Sequence, residues 1–492
     1  MRVEPSLQDV RRMAGDWGAI PVYATLDLDV RDPHELFTVL KGRSKHCFLL
    51  ESREDAEGWG RYTFLGFDPI LELTCKDGQV RVTAQTSFEV AATHPKQVLR
   101  DVLHTCRSPR LDGLPPFTGG LVGYFAYDYL KYSEPTLSLC ARDEEGFMDV
   151  DLMLFDKVIA YDRLAGVLYL IATVRTDALE ANYRRAADEL AALALLVREG
   201  CPLQPDPLRL GGPFEPLFDE PVYHAMVEAV LEHIRDGDIF QAVLSNRLVA
   251  PGRGSLYSAY RLLAHANPSP YLFYLSSDQI ELVGASPETL VRLNGTQAST
   301  FPLAGTRPRG RTPEEDALLE AELLADAKEL AEHDMLVDLG RNDLGRISEL
   351  GSVSVEGYRT VERFSHVMHL ASTVRSTVRP GIDALDLVDA VLPAGTLSGA
   401  PKLRACEIID RLEGNRRGVY GGAVGYLGFN GDMDLCIAIR LAYMRGGRVF
   451  VRAGAGIVSD SVAAQEHLEC RSKMQAVLDA LEAANASGGE SL

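Results

Sequence analysis

Two pairs of glutamates in this sequence sit three residues apart: Glu329 and Glu332 in KELAEHDMLVDLGRNDLGRI, and Glu466 and Glu469 in AAQEHLECRSKMQAVLDALE. Both segments read as helices, and on a helix residues three apart share a face. Such a face is either a solvated acidic stripe or half of a hard-cation site. In the second case Mg2+ takes one or two carboxylates from protein and completes its octahedron with water and substrate, so two distant helices would supply opposing ligands.

Other segments are suited to a small anion. GTLSGAPKLRACEIIDRLEG (395–414) is a glycine-rich loop with Thr396 and Ser398, then Pro401 near a helix start and Gly414 as its stop. Free N–H groups at the positive dipole end could seat an anion there, although an ordinary capped helix has the same signature. AGAG (453–456) ends a strand in bare backbone, fit for close packing or for a carboxylate resting on amides. Taken as one strand, DLCIAIRLAY puts Leu435, Ile437, Ile439 and Leu441 on an apolar face and Arg440 opposite, with Cys436 and Ala438. The planar fork of Arg440 then meets either solvent or a carboxylate. In FSHVMHLASTVRSTV, His366 and His369 do not form a zinc pair, because residues three apart on a strand point to opposite faces. His369 faces with Val367, Ala371 and Thr373, as a core histidine or an active-site hydrogen-bonding group. PLAGTRPRGR (302–311) gathers Arg307, Arg309 and Arg311 in one turn of a chain with formal net charge −20, which raises the question of their anion.

These groups need elements to hold them. Thr312 as N-cap, Pro313 at the first helical position and Glu315 predict a capping box, with the helix running on toward Glu329. VYHAMVEAVLEHIRDG places Tyr223, Val227, Val230 and Ile234 on one stripe and stops at Gly237. In the strand DIFQAVLSNRLV, Phe240, Ala242, Leu244 and Leu248 share one face, and Gln241, Val243, Ser245 and Arg247 share the other, which meets water or a polar cavity. The C-terminal YGGAVGYLGFNGDMDLCIAIRLAYMRGGRVFVRAGAGIV reads as an antiparallel meander with turns at Asn430-Gly431 and Gly446-Gly447. Upstream, KHCFLLES, RYTFLGFDPILELT and KVIAYDRLAGVLYLIATV read as strands and LEANYRRAADELAALALLVRE as a helix. GCPLQPDPLRLGGPFEP, with five prolines and three glycines, is the clearest seam. It predicts an α+β region over 1–205 and a second over 217–485.

The whole-chain properties narrow the function. At 492 residues, with 46% apolar and 24% charged residues, the chain can bury a large interior, and no apolar run is long enough to span a bilayer. Acids lie among the bases of MRVEPSLQDVRRMAGDWGAI and it lacks an apolar core, so no secretory signal and a cytoplasmic location are expected. Eight cysteines without CxxC spacing read as reduced core residues. The acidic balance argues against nucleic acid or an anionic membrane as partner. The tail AANASGGESL is expected to fray.

Taken in order, LLES, NPSPYLFYL, GASPE, PLAGTRPRGR, KELAEHDMLVDLGRNDLGRI, GTLSGAPK, YGGAVGY, CIAIR and AGAGIV resemble the large, chorismate-binding subunits of anthranilate synthase, a branch of the chorismate-utilising enzymes. The resemblance covers nearly the whole chain and implies that family's fold, antiparallel sheets flanked by helices. It also implies a Mg2+-dependent reaction of chorismate and ammonia giving anthranilate and pyruvate, the first step of tryptophan biosynthesis. By the same resemblance Gly305, Thr306, Thr396, Tyr420, Arg440, Gly454, Ala455 and Gly456 would line the substrate pocket. Glu332 and Glu469 would hold Mg2+, and the catalytic set would be Glu329 (acid for the departing hydroxyl), His369 (pyruvate release) and Thr396. Arg307, Arg309 and Arg311 would anchor their turn rather than touch substrate. Isochorismate and salicylate synthases carry a lysine base where this chain has Gln241, and aminodeoxychorismate synthases often carry a lysine where it has Ala304, so both positions favour the ammonia reaction. No GxCxG cysteine elbow is present, so ammonia would come from solution or from a glutamine amidotransferase subunit, giving a hetero-oligomer. Tryptophan would bind the N-terminal region between LLES and NPSPY, at Ser52, Pro270, Tyr271 and Leu272, and inhibit the enzyme. Rival readings are an aminodeoxyisochorismate synthase that stops before pyruvate elimination and a non-catalytic amino-acid-binding regulatory homologue.

Overall fold

The computed structural model describes residues 2–52, 59–363 and 367–488. Its architecture is α+β: two large sheets packed face to face, each covered on its outer side by helices. Every strand ladder among the described residues is antiparallel. Phe48, Phe64 and Phe273 from the first sheet meet Val122, Tyr124 and Phe155 from the second in an aromatic-rich core between them. The outer face of the first sheet buries the stripe Tyr223, Val227 and Val230 of the helix Glu220–Arg235, as its periodicity requires.

Both sheets cross the proline-rich seam. In the first, Cys47–Glu51 pairs with Tyr271–Ser276, and in the second, Gly120–Phe125 pairs with Ala423–Gly428. Within the seam, Arg209–Leu210 and Glu215–Pro216 add short ladders to the long strand Gln241–Arg253. The regions on either side of 205–217 therefore share their hydrogen-bonded sheets and their cores.

Four local expectations change. The helix begun at Pro313 ends at Ala325, and a second runs from Ala327 to Gly345, because Asp326 takes the N–H groups of Lys328 and Glu329 as a new N-cap. At the first helix, Thr312 accepts from the Glu315 N–H as expected, but the Glu315 carboxylate accepts from Arg311 N–H instead of closing the box. DLCIAIRLAY is two strands: Met433–Ile437 belongs to the second sheet and Leu441–Arg445 to the first. Phe240 lies just before the strand Gln241–Arg253 and is 73% exposed, so it is not part of that strand's apolar face.

Six cysteines are buried, while Cys140 and Cys201 are exposed; all eight are free thiols. The terminal helix holds its turns to Ala486, and residues 489–492 lie outside the described residues, as does His366. Among the described residues no helix is long and apolar enough to cross a membrane.

Candidate active site

A cavity of about 640 Å3 opens among the helices Ala327–Gly345 and Ala463–Ala486 and the strands Gln241–Arg253 and Arg448–Ile457. Asp326 Oδ1 accepts from the N–H groups of Lys328 and Glu329 at 3.0 and 3.2 Å and so fixes the first turn that carries Glu329 and then Glu332. The same helix is anchored by His333, fully buried, with Nε2 2.7 Å from Ser372 Oγ. The terminal helix brings Glu466 and Glu469 to the same cavity. Lys473, one turn on, pairs with Glu469 at 2.6 Å.

The acids feel one another. Burial raises the Glu332 pKa above the ordinary carboxylate range, and the charges of Glu329 and Glu469 push it further the same way. Burial likewise raises Glu466, whose Oε2 is buried and accepts no hydrogen bond. An all-oxygen donor set from two helices, with an unanswered carboxylate oxygen among it, suits Mg2+. Glu332 and Glu469 both line this cavity, and Glu466 lines it with them.

Arg440 sits where the chain passes from one sheet to the other, at φ +52°, a conformation uncommon for a side chain of this size. Period-two reasoning assigned it to a strand face; the corner instead turns it into the cavity, where Nη1 donates to the Lys473 carbonyl at 3.3 Å. Burial lowers its pKa from the usual guanidinium value. Gly305 occupies a bulge of Leu303–Pro308 at φ +65°, and a Cβ there would lie 2.9 Å from Leu323 Cδ1 and 3.2 Å from Glu329 Oε2. Its carbonyl lies 2.9 Å from His369 Nδ1, which is also 3.1 Å from Thr306 Oγ1. Burial lowers the His369 pKa, and Arg440 adds to the effect, which favours a neutral ring. With Nδ1–H donating to the Gly305 carbonyl, Nε2 carries the lone pair.

Tyr420, Gly454 and Gly456 complete the wall; a Cβ on Gly454 would sit 2.5 Å from the Leu244 carbonyl oxygen and 3.0 Å from the Tyr420 hydroxyl. Ala455 is the exception among the expected residues: its side chain is buried in the core on the other face of its strand, away from the cavity lining. The GTLSGAPK loop presents Thr396 and Leu397 only. Ser398 is turned inward, its hydroxyl donating to the Ala394 carbonyl, while the Ser398 and Ala400 carbonyls accept from the Val243 and Phe240 N–H groups, so the loop braces a strand more than it seats an anion. The arginine knot meets the chain's own acids: Arg307 donates to Asp326 at 2.7 Å and Arg309 holds Asp316 through two nitrogens.

Glu288, in GASPE, was not singled out from its residue type. It lines the cavity, accepts from Thr396 Oγ1 at 3.1 Å, and is pushed up to about 7 by burial. A lone glutamate after a proline carries no local sign of such burial. Gln241, on the face predicted to meet a polar cavity, does so, and its Oε1 is buried without a hydrogen-bond partner.

A second cavity, of about 230 Å3, lies between the sheets and brings together Ser52, Pro270, Tyr271 and Leu272 with Tyr426 and Asp434. The Tyr271 hydroxyl donates to Asp434 at 2.7 Å, Arg292 Nε reaches the same carboxylate at 3.0 Å, and the rings of Tyr62 and Phe64 stack at 5.6 Å on the wall.

The chorismate binding enzyme family model matches residues 45–479. The chain belongs to that family. Among curated relatives, anthranilate synthase component 1 of Acinetobacter calcoaceticus is 44% identical over 95% of this chain and 96% of its own length. The same-named protein of Aquifex aeolicus is 41% identical over the full length of both. The crystal structure of anthranilate synthase component I from Streptococcus pneumoniae superposes with a TM-score of 0.74 at 36% identity, covering 91% of this chain and 98% of that one. This member of the chorismate binding enzyme family therefore carries the α+β fold its motifs implied, and the matched range, 45–479, includes the seam at 200–216.

Proposed function

We propose that this chain is the chorismate-binding component of an anthranilate synthase, converting chorismate and ammonia to anthranilate and pyruvate. The observation that carries the reading beyond the relatives' names is the cavity itself: carboxylates of two helices face Arg440, and neither Gln241 nor Ala304 supplies a lysine. An amide cannot deprotonate water, whereas ammonia arrives with its own lone pair, and the unanswered Gln241 Oε1 can accept one of its hydrogens.

In this reading Glu332 and Glu469, with Glu466 beside them, hold Mg2+. When bound, the ion acts as a Lewis acid toward a substrate carboxylate. Arg440 and the glycine backbone at 454 and 456 grip the dicarboxylate. Ammonia attacks C2, both ring double bonds shift, and the C4–oxygen bond breaks as Glu329 gives its proton to the departing hydroxyl, which leaves as water, and then takes one proton back from the new C2 ammonium. His369, kept neutral by burial, then takes the C2 proton through Nε2 while the C3–oxygen bond breaks and pyruvate departs. Thr396, donating to Glu288, holds that carboxylate against the ring's path. The ammonia comes from a glutamine amidotransferase component, and the work of this chain needs no membrane or nucleic acid.

The cavity between the sheets is the tryptophan site, with Ser52, Pro270, Tyr271 and Leu272 lining it. Tryptophan inhibits by binding the less active state preferentially.

Purified chain given chorismate, Mg2+ and an ammonium salt is expected to form fluorescent anthranilate and an equal amount of pyruvate. Glutamine in place of ammonium should give none without the second component. An amino product without pyruvate, or isochorismate, would assign a different reaction. Tryptophan is expected to suppress the rate, and a Tyr271→Ala chain should lose that response first; an unresponsive parent enzyme sinks the regulatory part alone.

A further inference from the structure

A second acidic cluster lies between the two sheets, and none of its members lines either cavity. Glu72 and Asp151 stand on neighbouring strands, Leu71–Lys76 and Val150–Phe155, with Glu72 opposite Met153 and Asp151 opposite Thr74. That makes them diagonal neighbours on one face, close enough for their side chains to interact. From the other sheet come His46, just before Cys47–Glu51, and Asp278, in the turn between Tyr271–Ser276 and Glu281–Ser286. His46 Nε2 lies 3.6 Å from Glu72 Oε2 and 3.5 Å from Asp278 Oδ2. Ligand atoms of His46, Glu72 and Asp278 all fall within 4.8 Å of one another.

Two of these acids are deeply buried, Glu72 at 7% and Asp151 at 3% exposure. Ser277 Oγ donates to Asp151 Oδ2 at 2.9 Å, but Asp151 Oδ1 and Glu72 Oε1 are enclosed and accept no hydrogen bond. The hydroxyl of Tyr124, directly opposite Asp151 in register, is likewise buried without a partner. Buried carboxylates in natural folds are paired with cations or coordinate metals. Here one imidazole stands against three carboxylates, so with no ion bound the buried pair can shed its excess charge only by sharing a proton between Glu72 and Asp151. An imidazole nitrogen among carboxylate oxygens favours a first-row transition ion over Mg2+ or Ca2+, which take oxygen alone.

We propose that His46, Glu72, Asp151 and Asp278 form a structural site for a divalent first-row transition ion of the Zn2+ type, tying the two sheets together across the interior. His46 and the more exposed Asp278 form its entrance, and Glu72 and Asp151 its floor.

The test uses the full chain, stripped with a chelator and then held in excess Mg2+ so that the oxygen-only catalytic site is filled. Co2+ is added and followed by its visible d–d absorption, then displaced by Zn2+. One equivalent of Co2+ is expected to bind despite the Mg2+ and to be displaced by Zn2+, with a rise in thermal midpoint. His46→Ala should abolish that equivalent. Asp278→Asn, at an exposed position that leaves the buried pair intact, should weaken it by about tenfold or more. Glu332→Gln should keep it. The proposal is overturned by absence of binding in excess Mg2+, which would leave a proton shared between Glu72 and Asp151, or by an equivalent that survives both variants. It is equally overturned if His224→Ala alone removes the ion, since that would place it at the Glu220, His224 and His467 group, the other trio among the described residues with metal-like spacing.

Discussion

The ion network around Glu413 and the acidic floor of the cavity are made of the same groups and stand in opposite electrostatic states. Glu413, at 4% exposure, accepts from Arg417 at 2.6 and 2.9 Å, from Arg452 at 2.8 Å, and from the N–H and hydroxyl of Ser245. Burial alone would raise its pKa, yet the two guanidiniums overcome that and hold it below the ordinary carboxylate range. Arg417 lies against the ring of Tyr420, so this satisfied network backs the cavity wall. Glu332 and Glu466 on the cavity side are raised by burial, and no arginine answers them. A charge balanced inside the chain holds the fold together, whereas one left unbalanced at a cavity is held ready for something the chain does not contain.

The contrast predicts opposite outcomes for the same kind of substitution. Neutralising a cavity acid, in Glu332→Gln or Glu469→Gln, is expected to lower anthranilate formation by more than about 100-fold, since even outer-shell partners of a metal are worth about 10- to 100-fold. The thermal midpoint in metal-free buffer should stay level or rise, because repulsion among the acids is relieved. Glu413→Gln should do the reverse. It leaves Arg417 and Arg452 buried without their counter-charge, a loss on the order of 3–5 kcal/mol, read as a lowered midpoint with activity falling only as the folded fraction falls. If both substitutions lowered the midpoint alike, the distinction between the two regions would be lost.

How far the sequence disclosed this arrangement depends on the range of the signal. The glutamate pairs, the helix stripe on Tyr223, Val227 and Val230, and the polar face of Gln241 are local periodicities, and they sit where periodicity puts them. The helix break at Asp326 was also readable, since an aspartate followed three residues later by Glu329 is a capping signature. It was masked by the continuous helical pattern around it. Arg440 lies beyond such reasoning, because alternation along DLCIAIRLAY has no term for a chain that changes sheets at a left-handed corner. The seam at 200–216 was legible as composition, but pairing of Cys47–Glu51 with Tyr271–Ser276 spans more than two hundred residues, and no window sees it. Glu288 and the Glu413 network were missed for the same reason: burial is a property of the assembled fold.

A smaller and pH-dependent effect would sharpen the comparison. Glu288 is pushed up from the ordinary value to about 7 by burial, so the folded chain binds its proton more tightly than the unfolded chain does. Its contribution to stability is present below the unfolded value, near 4.5, and is lost as pH rises through about 7. Glu288→Gln keeps the hydrogen-bonding shape without the charge. Its unfolding free energy should match the parent's in acid and exceed it above pH 7, by on the order of 3 kcal/mol at most. A difference that does not change between pH 5 and 8 would show that Glu288 is answered by a cation after all.

The smallest effect belongs to the arginine knot. Arg309 grips Asp316 at 2.8 Å and Arg307 takes Asp326, so both charges are already balanced, and at partly exposed positions where water screens them. Against an unbalanced cavity acid, a balanced surface pair has little to offer an incoming anion. Arg309→Ala is therefore expected to change KM for chorismate by less than about twofold and to leave the thermal midpoint nearly unmoved, as exposed pairs generally do. A tenfold rise in KM with unchanged kcat would instead mean that the knot reaches the substrate in the closed enzyme, and that a charge can be balanced within the fold and still be called on for binding.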